Sequence, residues 1–92
     1  MHTNIKINED RLWHSLNEMA LIGATEKGGV NRQALTDLDK ESRDLFIKWC
    51  KEENLSINID QMGNIFARRD GKNNNLPPIM SGSHLDTQPT GG

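Results

Sequence analysis

The sequence predicts an α/β fold in the order helix, helix, strand, strand, strand, with an incomplete sheet. Three observations carry that prediction. Apolar residues recur at helical spacing in the first half, polar and apolar residues alternate in the second, and Gly- and Asn-rich turns separate the segments. All 92 residues are assigned to one domain, because a chain of this length supports one small core at most.

Asn8 followed by Glu9 and Asp10 marks the first helix start: a short polar side chain caps free amides, and acids suit the positive helix end. Leu12, Trp13, Leu16, Met19 and Ala20 then form one apolar stripe, with Gly23 as the stop. Residues 24–31 lack periodicity and contain Gly28-Gly29, which predicts a loop whose double glycine permits a turn closed to side chains with a Cβ. The second helix starts near Thr36, where Thr-x-x-Asp resembles a capping box. Leu38, Leu45, Phe46 and Trp49 are assigned to its buried face, Lys40, Glu41, Lys48, Lys51 and Glu52 to its exposed side, and Glu53-Asn54 to its end.

Residues 56–60 alternate as a half-buried strand does, residues 61–64 supply a turn, and residues 64–69 form a second strand, the hairpin partner of the first. The polar run from Asp70 to Asn75 predicts a surface connection. A third, buried strand is expected from Pro78 to about Ser83, delivering His84 and Asp86 at its C-terminal tip, where ligands gather in open α/β sheets.

Composition excludes several function classes. The 11 basic and 13 acidic residues are interspersed and sum to −2, so there is no electrostatic footprint for nucleic acid or an anionic membrane. Neither a secretion signal nor a membrane span is recognisable, and the single Cys50 rules out an internal disulfide; a cytoplasmic protein is expected, with Cys50 as a packed thiol. Hydrophobic residues make up 34%, which is lean for a self-sufficient core and predicts apolar surfaces that expect partners.

His84 and Asp86 are one residue apart, so in extended geometry both side chains leave the same face. A neutral imidazole is a good zinc ligand, and a nearby carboxylate can accept its other ring N–H. Ser83 and Thr87 offer supporting hydroxyls, and Gly82 allows close backbone approach. One His and one Asp do not complete a catalytic centre, since zinc takes roughly three protein ligands plus water. Other candidates are weaker: His14 lies beside the first helix's stripe, His2 sits near the terminus, and Gly28-Gly29 lacks the surrounding pattern of a phosphate loop. Arg32 is compatible with either a substrate carboxylate or a structural ion pair.

The run Gly82-Ser83-His84-Leu85-Asp86-Thr87, with Pro89 and Gly91-Gly92, resembles the first metal-ligand segment of the dinuclear-zinc amidohydrolases of the M20 class that include N-carbamoyl-L-amino-acid hydrolases, β-ureidopropionases and allantoate amidohydrolases. Gly28-Gly29-Val30 with Arg32, the helix containing Trp49, and Asp60-Gln61-Met62-Gly63-Asn64 match the same group in the same order. The resemblance implies that His84 binds one metal and that Asp86 orients it and supports catalysis. It further implies two divalent metals, zinc with manganese or cobalt as substitutes, a small ureido or carbamoyl substrate, and a homodimer. The group's bridging Asp, its Glu pair and its further His ligands have no counterpart in residues 1–92. These residues are therefore expected to be the N-terminal part of one catalytic domain, inactive alone, with the rest of that domain and a dimerisation domain outside them. Two competing readings remain: an M20-type aminopeptidase or N-acyl-amino-acid deacylase, and a non-catalytic α/β interaction domain.

Overall fold

The computed structural model describes residues 5–90. Helix α1 runs Glu9–Ala20 and α2 runs Asp37–Glu52; strands β1, Ser56–Ile59, and β2, Ile65–Arg68, follow. Both predicted N-caps form. The Asn8 side chain accepts from Arg11 N–H at 3.0 Å, and the Thr36 hydroxyl accepts from Asp39 N–H at 3.2 Å. The reciprocal half of the capping box is displaced by one residue, because the Asp39 carboxylate takes Leu35 N–H, at 3.1 Å. At the other end of α2, Asn54 adopts φ 59, Leu55 N–H reaches Cys50 O and Asn54 N–H reaches Lys51 O. This paired closure satisfies carbonyls that the helix leaves open, and Asn is one of the few residues that enters the left-handed region cheaply.

Strands β1 and β2 pair antiparallel in the register Ser56 with Arg68 through Ile59 with Ile65. Asp60 N–H then bonds Asn64 O, leaving Gln61, Met62 and Gly63 at the tip, with Gly63 at φ 86. The Asp60 carboxylate fastens this turn by accepting from Met62 N–H, Asn64 N–H and the Asn64 amide. Those bonds, led by the Asn64 side chain, hold its carboxyl below the usual carboxylate range.

Helix α2 packs against β1. Met19 and Cys50 are the buried apolar residues among those described, and burial pushes the Cys50 thiol pKa up. Leu45, Phe46 and Trp49 are half-buried, but Leu38 is exposed, so the face assigned to α2 is covered only in part. Ser42, an unexpected member, is fully buried and satisfies itself by donating to Asp39 O one turn back. On α1 the stripe is open at Leu12, Trp13 and Leu16 and buried only at Met19. Among the described residues no helix is long and apolar enough to cross a membrane.

The expected third strand does not form. The sheet has two strands, and residues from Pro78 to Ser83 are unpaired and exposed, Ile79 completely so. A strand exists only as one side of a ladder; Pro77 and Pro78 bring no N–H to one, and among the described residues no backbone pairs with those that follow. The apolar run is real, but its burial is not present among the described residues.

Candidate functional site

The region around His84 is assembled from the end of α1, the loop after it and residues 84–90. Helix α1 turns out at Gly23, whose φ of 87 and close approach to Asn31 leave no room for a Cβ: one would stand 2.8 Å from Asn31 O. The loop predicted over residues 24–31 folds back as a tight hairpin. Ala24 bridges Val30, Thr25 N–H reaches Gly29 O at 2.9 Å, and the Thr25 hydroxyl accepts from Gly29 N–H at 3.0 Å. Gly28 supplies the required left-handed corner at φ 82.

This hairpin delivers Arg32 to the middle of the assembly. Thr87 N–H donates to Arg32 O at 2.7 Å, while the Thr87 hydroxyl accepts from Arg32 N–H at 2.8 Å and donates to Val30 O at 2.6 Å. Arg32 is 5% exposed, and its side chain donates through Nη1 to Met19 O and Ile22 O at the end of α1, and through Nε to Leu85 O at 3.0 Å. A buried cation is costly unless its donors are used and a counter-field is present. Here the negative end of α1 supplies part of that field, and the Asp39 and Asp86 carboxylates add to it. Burial pulls the Arg32 pKa down and the two acids oppose it; an arginine starts so high that it stays charged.

His84 Nδ1 lies 2.9 Å from Asp86 O and 3.2 Å from Asp86 Oδ1. A backbone carbonyl and an ionised carboxylate only accept, so Nδ1 is the ring donor, and the neutral imidazole keeps its lone pair on Nε2. That tautomer suits a metal ligand. The His84 side chain is 78% exposed, so the ring is accessible at the rim of a shallow concavity that Gly29, Val30, Asp86, Thr87 and Pro89 also line. Among the described residues no three His, Cys, Asp or Glu side chains converge on a metal position. The residues present therefore fit one ligand and its orienting partner.

Of the other candidates, Thr87 serves as a support, whereas Gly82 has nothing within 4 Å of its Cβ position and makes no close approach. His14 is exposed on α1, while His2 and Gly91-Gly92 lie outside the described residues. Among the described residues, the hydrogen bonds of the Arg32 side chain go to backbone carbonyls rather than carboxylates. Its importance had no local signal, because Leu85 is 53 residues away.

No family model matches the chain. An N-carbamoyl-L-amino-acid amidohydrolase of Rhizobium meliloti is 55% identical over 89 residues, which are 97% of this chain and 21% of that protein. A second, from Pseudomonas sp. (strain NS671), is 35% identical over 88 residues, 96% of this chain and 21% of its own. The crystal structure of an amidase of the hydantoinase/carbamoylase family from Burkholderia vietnamiensis superposes with a TM-score of 0.94 at 53% identity, covering 100% of this chain and 22% of that one. Over the residues it spans, the chain is similar in sequence and fold to the N-carbamoyl-L-amino-acid amidohydrolases and the hydantoinase/carbamoylase amidases. It spans about a fifth of the length of the curated relatives it matches.

Proposed function

We propose that these residues serve a metal-dependent hydrolase that cleaves non-peptide C–N bonds of N-carbamoyl amino acids or related ureido compounds. The carrying observation is the His84 ring with Nδ1 turned onto Asp86, which leaves Nε2 as the donor to a divalent metal. Two such ions, zinc in this reading with manganese or cobalt as substitutes, would supply an acidic water and polarise the scissile carbonyl. His84 would hold one of them through Nε2. Asp86 would keep the proton on Nδ1, raise the basicity of the ring and support catalysis from behind it. Thr87 and Arg32 hold the backbone that carries both. For a carbamoyl substrate the products are an amine, carbon dioxide and ammonia.

The same reading includes a homodimer, a cytoplasmic setting and a 92-residue chain that is inactive by itself, because a single ligand does not make a centre. The relatives' names favour carbamoyl substrates over peptides and N-acyl amino acids.

The test uses the intact protein as its gene encodes it, with ammonia release from N-carbamoyl amino acids as the readout. Chelation abolishes turnover and zinc restores it, and His84→Ala lowers both metal content and turnover, the latter by about 100-fold, while Asp86→Asn costs about 10- to 100-fold. Peptide or N-acetyl amino acid hydrolysis without carbamoyl hydrolysis would replace this function with that of a peptidase or deacylase.

A further inference from the structure

We infer that Arg32 is a positioning residue that sets the direction of Asp86, and through it the tautomer of His84; this rests on His84 acting as a metal ligand. The inference comes from where the bonds of Arg32 fall along the chain. A side chain that merely closed α1 would need only Met19 O and Ile22 O, which Nη1 already serves. Nε goes instead to Leu85 O, the carbonyl of the peptide that enters Asp86. The main chain of Arg32 grips the peptide that leaves Asp86, because Thr87 N–H donates to Arg32 O at 2.7 Å. Asp86 is thus fixed on both sides by one residue.

The second grip bears directly on the histidine. In a planar trans peptide the N–H and C=O point in opposite directions. With Thr87 N–H held by Arg32, the Asp86 carbonyl faces the other way, and there it meets His84 Nδ1 at 2.9 Å. The first grip fixes the peptide plane before Asp86 and so limits the directions open to its carboxylate, the other acceptor of the Nδ1 proton at 3.2 Å. Because Nη1 is anchored on α1, the His84–Asp86 pair is referenced to the end of a helix and not to a free loop.

The experiment uses the intact protein labelled with 15N-histidine, metal-free for spectroscopy and metal-loaded for kinetics, with the variants Arg32→Met and Arg32→Lys. The side-chain anchor is the part these variants remove. At a pH where the ring is neutral, the wild-type His84 signal reports a proton on Nδ1. Arg32→Met shifts His84 toward a mixture of the two tautomers and lowers kcat by about tenfold or more with KM little changed, the size expected for an orienting contact behind a ligand. Arg32→Lys retains the cation without the fork that joins α1 to Leu85, so it recovers part of both losses. Unchanged His84 tautomer and kcat in folded Arg32→Met would overturn the inference and leave Arg32 as a brace. If Arg32→Met does not fold, the same two readouts in Arg32→Lys decide: wild-type values for both overturn it. Absence of carbamoyl turnover in the wild type, with the tautomer shift still present in the variant, sinks the proposed function and leaves the role of Arg32 standing.

Discussion

Two segments that are neighbours in sequence are held in opposite ways. Residues 84–87 are polar apart from Leu85, yet they are tied to Val30, Arg32 and, through the guanidinium, to α1. Leu76, Ile79 and Met80 are apolar, yet they stand exposed, with Ile79 uncovered altogether. In a chain with so small a core, order follows specific hydrogen bonds more closely than it follows hydrophobicity. A carbonyl paired with a buried guanidinium has a defined place, whereas an apolar strand has none until another backbone lies beside it.

The hairpin that carries Arg32 offers the strongest way to break this contrast. Gly23→Ala places a Cβ in left-handed backbone, which alone costs about 1–3 kcal/mol. The 2.8 Å contact with the Asn31 carbonyl adds to that, and backbone on both sides leaves little room to yield. Denaturant unfolding of the intact protein should show this as the largest loss of stability, with faster amide exchange at Arg32 and Thr87. A Gly23→Ala protein with wild-type stability would mean that the corner is not what holds Arg32 in place.

Thr87→Val tests the knot itself at nearly constant volume. It deprives Arg32 N–H of its acceptor and Val30 O of its donor, and each group left unpaired in a part-buried setting costs about 1–3 kcal/mol unless water replaces the bond. Because Thr87 N–H still reaches Arg32 O, the segment should loosen and not detach. Amide exchange at residues 84–87 should therefore rise while exchange within β1 and β2 stays as it was.

The local grammar of the fold was legible in the sequence. Asn8, Thr36 and Asn54 act within a few residues of themselves, so their types and positions were enough, whereas Asp60, read as the end of the first strand, instead fastens the turn after it. The His84–Asp86 pair was legible for the same reason. Arg32 was not, since its meaning depends on partners 53 and 55 residues away that only the folded chain brings near. Ser42 was missed because a hydroxyl that bonds its own helix can be buried at little cost, which a polar letter in the sequence conceals. The third strand failed in the other direction: composition announced an apolar strand, but pairing is a property of two segments and only one was in view.

The smallest effect is the one that measures this last difference. Ile79→Ser in the 92-residue chain should move its unfolding free energy by no more than about 0.5 kcal/mol, as for a surface substitution with no contacts to lose. In a protein where a further strand or a partner covers this edge, the same change removes a buried Ile and should cost at least the roughly 1.5–3 kcal/mol of its transfer from water. The gap between those two values, read by chemical denaturation of the 92-residue chain and of the protein as its gene encodes it, reports whether the apolar run acquires the pairing that its composition calls for. A cost above about 2 kcal/mol in the short chain would show that Ile79 is already packed there, and the opposition between a tied polar segment and an untied apolar one would fall.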